Sequence, residues 1–543
     1  MKRVLAAGAT GITAAGLLLV VAPAAHAAST LLVPGRYRTI SAAISAAHNG
    51  DTVLVSPGTY HESLTIVGKA ITVKASSSNP ASTVIAAPRG RTPVMFQHVG
   101  DQTSLRGFRI INGYAPSGQG GGITVANGAS PIIVNNVIEF NHATDGGGIL
   151  VYNGSNPDIA YNYIQNNTAS SFGGGVFAVI GSNPTVHHNV IRANRAYGGG
   201  GVYLESNSGN RAARAGGHVL YNSIYNNAAS QAGGGIMLRT GEVAQIAFNQ
   251  INSNRAPYGG GIEVETNGSG PSIRSNTLSG NTAATSASQP GSGSGGGIAV
   301  FGQSTPLIQG NTVTSNASTI YGGGIVLAEG SSSRVVGNNI AGNRVTSTAS
   351  GAGGGGIFEA NSDSQIWNNV IRGNSARGGG GLSFSGTGSW VVQNNTVIGN
   401  AAASSSNPLG GGIFIGGKTT GKTSIVSNIV AGNNDVQIFD AGHLSTYWNN
   451  VVNNAGKGAF YAYGVGTVTD ISQINGNSRL NAAYNNISGN LGFVDAAHYN
   501  YRLASASVAI DRARAAGAPS NDISGAPRPW GRGYDVGAYE FRG

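Results

Sequence analysis

The stretch GGGVFAVIGSNPTVHHNVIRAN, residues 173–194, decides the fold. It joins two phrases. One is a run of glycines ending in an aliphatic residue, here Val176; the other is Asn-x-aliphatic-x-x-Asn, here Asn189 to Asn194. The glycine phrase occurs eleven times, from the copy ending at Ile123 to the copy ending at Ile413, and each is followed by an asparagine phrase, the first starting at Asn136 and the last at Asn428. Successive copies lie 25 to 36 residues apart. A period of this size marks a stacked solenoid. The quoted copy holds three short apolar segments separated by turn residues. Segments this short cannot pair within one small coil, so each pairs with its counterpart in the next coil, roughly 4.8 Å along the axis. Three parallel sheets around an apolar interior make a β-helix, and the preference of parallel crossovers gives it a right hand. The expected class is all-β, a right-handed parallel β-helix of three sheets and eleven or more coils.

The repeated residues have structural work to do. Glycine fits a crowded corner and conformations with φ above zero. The recurring asparagine is expected to sit at a bend, to adopt left-handed geometry itself, and to stack its amide on the next coil. The aliphatic residues point inward. None is read as catalytic because it recurs.

Charged residues are only 10% of the 543, against about 25% in ordinary globular proteins. The 88 glycines follow no Gly-x-y period, which excludes collagen. Residues 1–27 read as a secretory signal: Lys2 and Arg3, an apolar stretch centred on Leu17 to Ala22, and Ala25-His26-Ala27 as the cleavage site. The mature chain is therefore expected to be secreted, with no transmembrane segment. Cysteine is absent, which removes disulfides, thiolate metal sites and cysteine nucleophiles. The net charge is +10, or +8 without Lys2 and Arg3, and the arginines are scattered. This favours acidic partners such as uronate polysaccharides over nucleic acid.

Residues 28–105 precede the repeats as an N-terminal cap with the first coils, and residues 106–492 hold the repeats. Thr39 to Ala47 has helical periodicity and Gly50 to Glu62 alternates like a strand. A helix closing the open end of the solenoid is expected, with Asp51 and Glu62 part of that cap. The phrase TI..AI..A..GDTV.V.PGTY.E resembles the N-terminal cap of pectin-lyase-like right-handed β-helix proteins, a resemblance that implies fold more than function. The repeats also resemble those of the chlamydial polymorphic membrane proteins, which are surface adhesins. Residues 493–543 resemble the choice-of-anchor Q segment of bacterial exported β-helix proteins. Phe493-Val494-Asp495, Ala509-Ile510-Asp511, the run from Asp522 to Arg528, and Asp535 to Glu540 carry that pattern. It implies a C-terminal cap and retention at a surface, with the acidic residues fixing turns.

Polysaccharide enzymes of this fold use recognisable acidic clusters. The chain has no Asp-Asp pair and no Asp-Pro-His-Asp phrase, and its Asp and Glu total 21. Aligning the coils on the aliphatic residue after the glycines allows a search for a different site. If that residue points inward, the first and third residues after it point outward. The first position then reads Phe177, Tyr203, Met237 and Glu263, and the third reads Val179, Glu205, Arg239 and Glu265. Glu205, Arg239 and Glu265 would form a vertical ladder and are the catalytic candidates. Phe177, Tyr203 and Glu263, with Tyr197 and Tyr258 before the glycine runs, are the ligand-binding candidates, with Phe172 beside them. A plain salt-bridge ladder accounts for the same charges. His187-His188 is read as structural, because neighbours in a strand face opposite sides. No cofactor or metal set is read, and calcium finds no cage of the RTX type.

Long insertions fall at Ser206–Gly217, Thr282–Ser294, Arg344–Ala352 and Ala401–Leu409. Solenoid insertions map to surface loops. The leading functional reading is a secreted or surface β-helix that binds extracellular polysaccharide or a cell-surface glycan. A polysaccharide lyase, hydrolase or epimerase is the alternative, and an envelope spacer or adhesin the third.

Overall fold

The computed structural model describes residues 27–116, 120–206, 216–239, 243–265, 270–403, 409–417, 419–442, 444–454 and 457–543. The signal reading, apart from Ala27, and most of the insertions at 206–217 and 401–409 lie outside the described residues. The chain is a parallel β-helix. Among the described residues three long sheets hold 17 (sheet A), 15 (sheet B) and 16 (sheet C) strands, paired with their counterparts one coil away except for the antiparallel last strand of sheet C, Gly466–Val468. A fourth ladder, sheet D, adds 11 very short strands between sheets B and C. Each coil runs from the glycines into sheet C, then A, B and D. The aliphatic residue after the glycines points inward, as Val176, Val202, Ile236 and Ile262 do, all fully buried. No helix among the described residues is long and apolar enough to cross a membrane.

Two columns of buried asparagine join the coils. Asn162 Oδ1 accepts from the backbone N–H (2.9 Å) and the side-chain amide (3.1 Å) of Asn136. Its own Nδ2 donates to the Ile133 carbonyl (2.8 Å) and to Asn189 Oδ1 (3.1 Å). This unit repeats at the A–B corner as far as Asn486, and a second column runs from Asn141 to Asn433 at the B–D corner. One expectation is corrected. The column asparagines are not left-handed; the residue before each one is, as at Tyr161, His188, Tyr221 and Phe248, with φ of 54° to 58°. The column residue instead stays in the pose that lets its amide reach the backbone of both neighbouring coils.

The glycines allow a contact that no side chain tolerates. A Cβ at Gly174 would lie 2.5 Å from the carbonyl oxygens of Arg195 and Gly200. The chain folds back so tightly here that the outer side of sheet C is covered by the segment before the glycines. Leu150, Phe177, Tyr203 and Met237 are buried there with Ala232, against Phe172 and Tyr258. This is a second apolar layer outside the main core.

At the N-terminal end the helix Ile40–Ala46 buries Ile40, Ala43 and Ile44 against the first coils. Thr39 caps it, accepting from Ala42 N–H, and Glu62 accepts from the Ile40 (2.9 Å) and Ser41 (2.8 Å) amides. Both are the usual answers to unpaired N–H groups in a first turn. The far end differs from expectation. Ile471 and Ile474 join the main core there, while the C-terminal segment lies along the flank. Leu503, Ala509 and Val536 pack on Ile429, Ala431 and Val451 of sheet B. Corner residues Asn394 and Asn449 donate to the carbonyls of Asp535 and Arg512, 2.9 Å each. A fully buried Arg528–Glu540 pair (3.1 Å) holds the segment's own turns.

The main core contains buried carboxyls at inward positions of sheet C: Asp440, which accepts from Tyr447 Oη at 2.6 Å, and Glu359. Glu359 points inward from sheet C and is fully buried, with Ser362 Oγ donating to it at 3.0 Å. Burial pushes its pKa up to about 8, against the pull of the Ser362 and Ser364 hydroxyls.

Two outcomes are expected. Asn249→Ala orphans the Asn222 donors and deletes two donated bonds, lowering the unfolding free energy by about 2–4 kcal/mol; a change below about 0.5 kcal/mol in denaturant unfolding would contradict the ladder's role. Glu359 is neutral when folded and ionised when unfolded between its ordinary pKa of 4.5 and about 8. Its contribution is therefore full below pH 4.5 and lost as pH rises to about 8, on the order of 5 kcal/mol. Glu359→Gln should flatten that part of the stability–pH profile.

Candidate functional site

Strands Val202–Glu205, Ile236–Arg239 and Ile262–Glu265 are successive neighbours in sheet C. Glu205 pairs in register with Arg239, and Arg239 with Glu265. The three side chains share one strand position in consecutive coils, so the coil period read from the glycines places them together. Arg239 Nε lies 3.6 Å from Glu265 Oε2, with both side chains partly exposed. Tyr203 Oη donates to Glu205 Oε2 at 3.1 Å.

Burial raises the pKa of Glu205; Tyr203 and Arg239 pull it back, and the charges of Asp145 and Glu265 push it up again. Glu263, two coils on, is pushed well above its usual range by burial, and Glu265 adds to this. Its Oε2 has no hydrogen-bond partner. A neutral carboxyl is the state that a desolvated site of this kind favours.

Three of the ligand-binding candidates are not surface groups. Phe177, Tyr203 and Glu263 do point away from the main core, but the segment before the glycines covers them; they are 5%, 0% and 2% exposed. Alternation told which side of the sheet they occupy and could not tell that this side is roofed. The exposed rings come from the roof. Tyr197 is 44% exposed and Phe172 lies 6.2 Å from it and 4.8 Å from Tyr203. Tyr258 is partly exposed and meets Phe301 edge-on at 5.6 Å. The face thus combines a charged ladder with phenol rings at its margin.

Its charge balance is acidic. Arg239 is the one basic residue in the described strands of sheet C, while Asp145, Glu265 and Glu329 act electrostatically on the same group of side chains. Such a face repels anionic ligands and offers strong acceptors to hydroxyl groups.

The His187-His188 pair also departs from the strand rule. The strand ends at His187, and His188 takes the left-handed corner conformation (φ 54°). Both rings therefore meet outside the coil, Nδ1 to Nδ1 at 2.8 Å, and Asp158 of the preceding coil lies 2.8 Å from His187 Nε2. His188 belongs to a corner stack, Tyr161–His188–Tyr221–Phe248, with centroid distances of 4.9, 5.2 and 4.8 Å. The sequence places these rings directly before Asn162, Asn189, Asn222 and Asn249, although of the four sequence reasoning singles out only His188. The rings stack along the corner and reinforce it, while Tyr161, Tyr221 and Phe248 stay about half exposed. Among the described residues no group of three or more His, Asp or Glu side chains is placed to hold a metal.

The family model described as "Right handed beta helix region" matches residues 99–216, 213–397 and 288–430. No curated protein matches the chain. Among solved structures, the chain is similar to the catalytic domain of Agl-KA, at 15% identity and a TM-score of 0.39, over 71% of this chain and 64% of that one. It is similar to the Dettilon tailspike protein at 16% identity and a TM-score of 0.38, over 72% of this chain and 70% of that one. It is also similar to the PL6 family alginate lyase AlyGC at 14% identity and a TM-score of 0.33, over 80% of this chain and 53% of that one. The matched regions thus span 64% and 53% of the first and third of these proteins. From its repeats, its stacked sheets and the extent of the family match, the chain belongs to the right-handed β-helix family.

Proposed function

We propose that the protein is an extracellular β-helix that binds a neutral polysaccharide along the outer face of sheet C. The observation that carries this is the register of Glu205, Arg239 and Glu265 in three consecutive coils. Carboxylates two coils apart stand roughly 9.6 Å from each other. Each can accept from paired hydroxyls of a sugar, while Arg239 donates between them. Tyr197 and Tyr258 supply ring surface at the margin. The acidic balance of the face selects a neutral glycan over a uronate chain, which changes the preference suggested by the overall charge.

A second reading rests on the different environments of the two glutamates. Glu205 is pushed toward its neutral form, whereas Glu265 is more exposed and paired with Arg239. Two carboxyl groups set apart in this way suit a general acid and a general base, and their separation lies at the upper edge of the range used by inverting glycosidases.

The test uses the full chain and a panel of neutral and acidic polysaccharides in affinity electrophoresis, with reducing ends measured in parallel. Arg239→Ala and the pair Glu205→Gln with Glu265→Gln should each weaken neutral-glycan retention at least about tenfold, the equivalent of about 1.4 kcal/mol. Unchanged retention in both variants would sink the binding reading. New reducing ends from the wild type, lost in the double variant, would establish hydrolysis.

A further inference from the structure

Sheet D carries a different chemistry from sheet C. Its first strand position runs through Arg195, Ala228, Arg255, Thr282, Ala317 and Arg344 in consecutive register. The three arginines are exposed, and among the described residues none makes an ion pair. On other faces of the solenoid Arg109 pairs with Glu139 at 2.6 Å and Arg239 with Glu265, while Arg274 and Arg334 of sheet A are exposed. From the coil of Arg195 to that of Ser375, the segments joining sheet D to the glycines contain no Asp or Glu. The row is thus an uncompensated line of positive charge.

A groove of about 610 Å³ lies within this line. Arg195 and Arg255 both line it, Ala196, Ala228 and Ala256 form its apolar lining, and the insertion contributes Ala284 to Ala287. Coil spacing sets the arginines roughly 9.6 Å and 14.4 Å apart along the axis. We propose that sheet D is a binding surface for a linear anionic polysaccharide, lying along the solenoid axis with its acidic groups on Arg195, Arg255 and Arg344. The guanidinium groups pair with carboxylate or sulfate in forked geometry. The alanine lining admits a sugar ring between them. Single-stranded nucleic acid is less well matched, because its binders present rings on which bases stack, and no ring lines this groove. The inference stands apart from the sheet C reading, which concerns another face and a neutral ligand.

The experiment measures binding of the full chain to labelled polygalacturonate (carboxylate) and heparin (sulfate), with dextran and single-stranded DNA as comparisons, at low and high salt. The wild type should bind at least one acidic polysaccharide, and salt should weaken that binding. The triple variant Arg195→Gln, Arg255→Gln, Arg344→Gln should lose about tenfold in affinity. Arg274→Gln with Arg334→Gln, which removes exposed arginines from sheet A, should leave binding unchanged. Equal losses in the sheet A variant would reduce the effect to net charge and overturn the proposal. So would absence of wild-type binding to both acidic polysaccharides, or single-stranded DNA displacing both of them. All substituted arginines are exposed, so matching melting curves would confirm that the variants fold.

Discussion

Everything in this molecule depends on the amide of one buried asparagine reaching the backbone of the next coil. A corner in a solenoid turns the chain away from its sheets and leaves N–H and C=O groups without strand partners, inside the protein and away from water. An unpaired buried group of this kind costs about 1–3 kcal/mol. The asparagine answers both needs at once, accepting from one coil and donating to another. Two such columns fix two corners, and the glycines permit the third. With the corners set, register follows, and with register comes the possibility of comparing residues 30 positions apart as if they were neighbours.

That is why the fold was so legible. Glycine and asparagine phrases mark the corners, and the aliphatic residues between them mark the inward positions; Val176, Ile191 and Val186 all lie in the core as their spacing requires. The vertical ladder of Glu205, Arg239 and Glu265 was legible for the same reason. The burial of Phe177, Tyr203 and Glu263 was not, because alternation assigns a residue to a side of a sheet without saying what lies beyond it. The roof comes from the preceding coil segment, and only the fold-back at Gly173–Gly175 brings it over. Likewise, the left-handed residues before each column asparagine are Tyr, His, Phe, Ser, Ala, Asn or Gly. No one residue type announces that conformation, so the backbone of the corner stayed hidden behind its most regular letter.

The two outer faces show how a uniform scaffold acquires distinct chemistry. Sheet C presents carboxylates around a single arginine, and sheet D presents arginines without carboxylates. Both patterns use strand positions whose side chains do not enter the main core, so they can vary without disturbing it. The buried Glu359 is the contrast: an inward position carries a charge-capable group, and the cost appears as a carboxyl held neutral.

The asparagine columns also have ends, and their ends are closed by the chain itself. The B–D column finishes when Asn433 donates to Gln437 Oε1, at 2.8 Å, a glutamine standing in for the next coil's asparagine. The A–B column finishes when Asn486 donates to Asn475 Oδ1, at 3.0 Å, from a loop folded over the last turn. A column is directional, each amide passing its donor to the coil above, so an unclosed top would present spare donors in the spacing of another copy's first coil. Closing them with side chains from the same chain terminates the stack at a set length and removes the template for end-to-end fibre growth.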